Sequence, residues 1–259
     1  MSKILNLLIV LLFAQSLLAQ GYDRLWFTGC NEFPGVAGYG QAQIRFENDT
    51  VLVEPASFAF NFESTVAVMS DSTGQLLFYS NGCSVANRNK EIMANGSDLN
   101  PGEISDQVCP WKGYIVPQGA MVLPSPANDK RYFLIHTGAR LDPVRKLRLG
   151  PLYYTEIDME EQGGFGAVIS KNNILTDGDL GAFSAIRHGN GRDWWVILPA
   201  YGNHTWYTFL LSPSGFETQP QQVVELTVRD CEKYMCTAVS RKGNILANWG
   251  DCKVTILDF

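Results

Sequence analysis

The chain has 259 residues, of which 46% are apolar and 18% charged, and its formal net charge is −6. That is ample material for a core, while the weakly acidic balance argues against nucleic acid and anionic membrane as partners. There is no polybasic run, no low-complexity linker and no long helical pattern, so one domain is the economical reading.

Residues 1–19 read as a signal peptide: Lys3 is the positive start, Ile4 to Phe13 the apolar run, and Ala19 the end of a cleavage region. The run is too short for a spanning helix, so residues 20–259 are expected to leave the cytoplasm with no membrane span. In the mature chain, LWFTG from Leu25 to Gly29 is a short strand and Asn31 to Gly40 a loop. Gln41 to Val53 is a hairpin turning at Asn48-Asp49. The first strand is expected to complete the last blade of a ring and so remove a sheet edge.

Four hairpin units follow. Ser64 to Ala86 turns at Ser72-Thr73-Gly74, and Ala120 to Asp158 turns at Ala127-Asn128-Asp129, with an insertion before PLYYTEID. Ala182 to Leu211 gives three strands broken at Gly189-Asn190-Gly191-Arg192 and at Gly202-Asn203. Cys236 to Phe259 turns at Lys242-Gly243. Gly and Asn recur at these turns because they tolerate positive φ. The turns at Gly74, Asp129, Gly191 and Gly243 come at roughly 50–60-residue intervals, close to the 40–50 of four-stranded blades with added loops. The expected fold is all-β, a β-propeller of four-stranded antiparallel blades with about three and a half blades present; a β-sandwich is the alternative.

Six cysteines in an exported chain favour disulfides over metal ligation, since only Cys231 and Cys236 are close and neither has a neighbouring histidine. Cys83 with Cys109 is the expected pair, because it closes the Asn95-to-Gln107 loop onto its own blade. The other pairings stay open.

The segments Leu76 to Gly96 (LLFYSNGCSVANRNKEIMANG), Gly150 to Leu175 and Ala185 to Gly215 carry a resemblance. They resemble the N-terminal, β-propeller-like region of large secreted Bacteroidota proteins, the gliding-motility-associated and type nine secretion sorting-domain kind. The resemblance covers the chain from about Leu25 to Phe259, and it implies a fold and a secretion context, not a chemistry. The chain departs from that pattern by stopping at Phe259, inside the third strand of the fourth unit. It is therefore expected to be a piece of a longer product; a small four-bladed ring closed by the N-terminal strands is the alternative.

Candidate chemistry is sparse. His188 with Asp193 could serve acid–base work, but such pairs also tie turns to strands. His136 and His204 lie in other units without metal-ligand spacing. Asp177-Gly178-Asp179 has the look of a calcium loop without the rest of an EF-hand. Glu156 and Asp158 share a strand face, whereas glycosidase carboxylates come from separate strands. G-x-S-x-G, the P-loop and the dinucleotide fingerprint are absent. No catalytic residue, metal or cofactor is therefore expected.

Aromatics such as Trp111, Tyr114, Trp194, Trp195, Trp206, Tyr207 and Trp249 could stack on a ligand, with Trp111, Trp206 and Trp249 proposed first, against the alternative that they fill gaps between blades. Alternation within WWVILP and TWYTFLL turns about half of their aromatics away from any one face. The sequence thus supports a non-catalytic, secreted or cell-surface protein that presents a binding or structural surface to a protein or glycan. The alternative is a secreted glycoside hydrolase or lyase with its site at a central channel.

Overall fold

A computed structural model of the chain describes residues 24–29, 40–47, 50–144, 146–201, 205–223, 236–240, 242–250 and 253–258. The signal segment, the turns at Asn48-Asp49 and Gly202-Asn203, His204, Cys30, Cys231 and Cys252 lie outside those residues.

The protein is all-β, built from small antiparallel sheets of three to five strands. The first sheet is β1 (Leu25–Thr28), β2 (Ala42–Glu47) and β3 (Thr50–Pro55), and the second β4 (Ala67–Ser70), β5 (Leu76–Ser80) and β6 (Val85–Asn87). After helix α1 (Glu103–Val108), the third sheet runs β7 (Ala120–Pro124), β8 (Arg131–Leu141), β9 (Leu147–Asp158) and β10 (Ala167–Thr176). The fourth has β11 (Ser184–Arg187), β12 (Trp194–Pro199), β13 (Thr205–Ser212) and β14 (Gly215–Thr218), and β15 (Gln222–Val223) also pairs with β13. The fifth is β16 (Cys236–Val239), β17 (Ile245–Gly250) and β18 (Lys253–Asp258).

The expected hairpins form, and three share one construction. Gly74, Gly191 and Gly243 have φ of 88°, 73° and 76°. Each donates its N–H to a carbonyl three residues back, those of Asp71, His188 and Ser240. A left-handed residue there costs roughly 1–2 kcal/mol for anything but glycine, which is why the spacing was readable.

Two expectations about the sheets need correction. Among the described residues β1 pairs with β2, not with the last sheet, and it packs beside β4. Its alternation directs Leu25 and Phe27 into the core shared with the second sheet, so that is where its burial is gained. The insertion between Thr137 and Pro151 takes the form of a longer hairpin: after a register shift β8 and β9 stay paired to Leu141↔Leu147, and the Asp142 carboxylate closes the turn by accepting the N–H of Val144 and Lys146. Among the described residues the sheets do not all have four strands; β10 adds a fourth to the third sheet through three register shifts, which break the alternation that marks a strand in sequence.

Successive sheets pack face to face. Leu25, Phe27, Phe62 and Tyr79 fill the space between the first and second. Met69, Phe78, Val85, Leu134, Ile157 and Val168 fill the next. Leu123, Ile135, Leu152, Val196, Leu198 and Phe209 fill the space between the third and fourth. The first strands are neighbours, β1 beside β4, β4 beside β7 and β11 beside β16. Cys83 and Cys109 form a disulfide that anchors the end of α1 to the second sheet, as expected. Cys236, on β16 opposite Trp249, is a free thiol, a departure from the even pairing the count of six favoured. Among the described residues no helix is long and apolar enough to cross a membrane.

Candidate functional site

The groups that could do acid–base chemistry are tied up in structure. His136 is fully buried, and its Nδ1 lies 2.7 Å from Asn100 Oδ1 and its Nε2 2.9 Å from Thr155 Oγ1. Asn100 spends its amide hydrogen on the Gly82 carbonyl, so Oδ1 accepts from Nδ1–H, and Nε2 accepts the Thr155 hydroxyl. Thr155 Oγ1 in turn accepts the Asn172 N–H, and Asn172 Oδ1 accepts the Asn100 N–H, which closes a ring. Burial pushes the His136 pKa down to about 3, so the imidazole is neutral.

His188 is a turn residue. Its Nδ1 accepts the Asn190 N–H at 3.0 Å, the contact that Asp71 Oδ1 makes with the Thr73 N–H in the second sheet. Asp193 is held by Arg192 and Asn190, and the Arg192 guanidinium keeps its carboxyl below the usual range. Asp177 and Asp179, the calcium-like pair, share the guanidinium of Arg140 at 3.3 and 2.8 Å. Asp158 is paired with Arg131 at 3.0 Å. Among the described residues no three His, Cys, Asp or Glu side chains are placed to hold a metal ion.

The three proposed tryptophans fall on different elements. Trp111 stands 74% exposed on the turn after α1, with its carbonyl accepting from Asn61. Trp249 is 38% exposed on the face of the fifth sheet that points away from the fourth, opposite Val254. Trp206 is no surface platform: it is 5% exposed, because β13 turns it toward the fifth sheet. It does reach a site.

That site is the space between the fourth and fifth sheets, where the packing of the earlier gaps gives way to a cleft of about 460 Å³. The ladder explains its wall. Ile186 lies opposite Trp195, Ile197 opposite Thr208, and Pro199 opposite Trp206, so one alternation puts them all on one face. The other alternation turns Trp194, Val196, Leu198, Phe209 and Leu211 toward the third sheet. Trp194 is further fixed by its Nε1–H to the Pro124 carbonyl and by Arg187, whose guanidinium lies 4.4 Å from its ring. Adjacent tryptophans thus have opposite fates: one packs, one faces the cleft.

Val239, Gly243 and Leu257 form the opposing wall, and the rim is Gln219-Pro220-Gln221-Gln222. Every described residue of this lining is uncharged. Trp195 was visible as a candidate in the WW pair; the glutamine segment was not, because nothing in its sequence marks it as a rim. A smaller hollow of about 350 Å³ lies beside the disulfide, lined by Phe60, Asn81, Asp98 and Asp106 among others. No protein-family model matches the chain, and no curated protein matches it either.

Proposed function

We propose that this chain is an exported, non-catalytic binding region in which the successive sheets are blades of a β-propeller and the cleft between the fourth and fifth sheets receives the ligand. The cleft carries the reading: it is concave, its wall is aromatic and aliphatic, and a few polar groups line its rim, which is the make-up of a ligand site. Glycoside hydrolysis needs two facing carboxylates about 5–10 Å apart, and the described lining supplies none.

The propeller reading is supported by the neighbouring first strands and the filled gaps between sheets. It is also supported by two uncovered apolar faces, Trp26, Phe46, Val51 and Val53 on the first sheet and Trp249, Val254 and Ile256 on the fifth, which adjoining blades would cover. Export is supported by the sequence of residues 1–19 and by the Cys83–Cys109 disulfide, which suits an oxidising compartment.

The test is to purify the exported chain and screen it on glycan and protein arrays, with product analysis of every bound carbohydrate. Saturable binding with the ligand recovered unchanged is the expected result. Turnover of a bound glycan, or no binding on either array, overturns the reading.

A further inference from the structure

We infer that the cleft between the fourth and fifth sheets takes a neutral oligosaccharide. This rests on the binding reading above and names the ligand class of the same site.

The wall sets the shape. Trp195 and Trp206 lie on neighbouring strands, with Trp206 opposite Pro199, four residues along β12 from Trp195. At about 3.3 Å per residue, that places the two residues roughly 13 Å apart along the strand. Ile197 and Thr208, opposite each other, lie between them. Trp195 is therefore the ring open to a ligand, Ile197 and Thr208 continue the wall, and the buried Trp206 closes its far end, a length suited to several linked rings and too long for one. The apolar C–H faces of pyranose rings stack on indole, whose π-face is electron-rich.

The rim sets the polarity. Gln219, Gln221 and Gln222 each carry an amide that both donates and accepts, as a sugar hydroxyl does. The described lining offers no cation for a uronate or sialate and no anion for an amino sugar in its charged form. A peptide strand is the weaker fit. Strand addition requires a free sheet edge, whereas this wall is the face of a sheet whose β12 is paired on both sides, by β11 and β13.

The experiment titrates the exported chain with tetramers of neutral hexoses and pentoses, and with oligogalacturonate as the charged control, by tryptophan fluorescence and calorimetry. A neutral tetramer is expected to bind more tightly than its monosaccharide and than oligogalacturonate. Trp195→Ala is expected to weaken that binding about tenfold or more, and Gln221→Ala, on the exposed rim, about threefold. Gln221 is exposed, so its effect separates ligand contact from folding. Equal binding of oligogalacturonate, or neutral-tetramer binding untouched by both substitutions, overturns the inference. Binding only of proteins or charged glycans overturns it too while leaving the binding reading intact.

Discussion

The side-chain amide of Gln118 makes both backbone hydrogen bonds of Thr237, 119 residues further along: Nε2 donates to the Thr237 carbonyl at 3.2 Å and Oε1 accepts its N–H at 3.0 Å. The glutamine stands in for a strand neighbour at the start of β16. Thr237 is pinned again through its hydroxyl, which donates to the Ala182 carbonyl and accepts from Asn248. Residues preceding β7 and β11 thus hold the first strand of the fifth sheet, and with it one wall of the cleft.

Replacing Gln118 with Ala leaves the buried backbone of Thr237 without those partners. The expected loss is about 1–3 kcal/mol, concentrated in the fifth sheet. Hydrogen exchange should show β16 to β18 deprotected while β8 and β9 keep their protection. Uniform deprotection would mean that the sheet is not anchored at this point.

The ring of hydrogen bonds around His136 makes stability depend on pH. A histidine in the unfolded chain titrates near 6.5, whereas burial holds His136 at about 3. Between those values the unfolded state binds a proton that the native state refuses. The contribution is therefore complete above about pH 6.5 and falls by about 1.4 kcal/mol per unit as the pH drops toward 3. The lowered carboxyls act elsewhere: Asp142, held chiefly by the Lys146 N–H, and Asp193, held chiefly by Arg192, stabilise above about pH 4 and lose that effect below it. Urea denaturation from pH 7 to 4.5 therefore isolates the histidine. His136→Gln should flatten the slope across that window even though the variant is less stable throughout.

Reduction of the Cys83–Cys109 bridge frees a segment whose ends are 26 residues apart. On chain entropy alone that costs about 3–4 kcal/mol. Asn100 lies within the bridged segment and belongs to the His136 ring, so loosening the segment loosens the ring as well. The double substitution Cys83→Ser with Cys109→Ser should lower the urea midpoint by a corresponding amount and flatten the pH dependence between about 7 and 4.5, because a loosened ring lets the native imidazole take up its proton more readily. A midpoint that does not move between oxidised and reduced protein would show that α1 and its loop are held by packing instead.

What could be read from the sequence was local. The hairpins at Gly74, Gly191 and Gly243 were legible because a left-handed turn residue is nearly always marked by glycine, and the bridge because Cys109 follows the loop that it closes. The WW pair showed by alternation alone that its two rings must part. Which ring would pack and which would face a cleft depended on the sheet that came to lie on each side, and no local pattern encodes that. The ring joining Asn100, His136, Thr155 and Asn172 draws on three strands and a loop, so its residues look unrelated until the fold brings them together. The same limit hid the pairing of β1, whose apolar alternation fits either end of the chain equally well.

Glycines with the same backbone sign should differ sharply on substitution. Gly191 has φ of +73° with open space where a Cβ would stand, so Gly191→Ala is expected to cost only the left-handed strain, about 1–2 kcal/mol. Gly82 has φ of +79°, but an added Cβ would come within 2.8 Å of both Thr65 Cγ2 and Tyr114 Cβ, in the core beside the disulfide. Strain there adds to overpacking of about 1–3 kcal/mol, and Gly82 cannot shift freely because its carbonyl accepts from Asn100. Gly82→Ala should therefore cost about 2–5 kcal/mol and shift the pH profile of the His136 ring, while Gly191→Ala leaves that profile unchanged. Equal losses in the two variants, measured by urea denaturation at pH 7, would mean that the crowding at Gly82 relaxes without consequence.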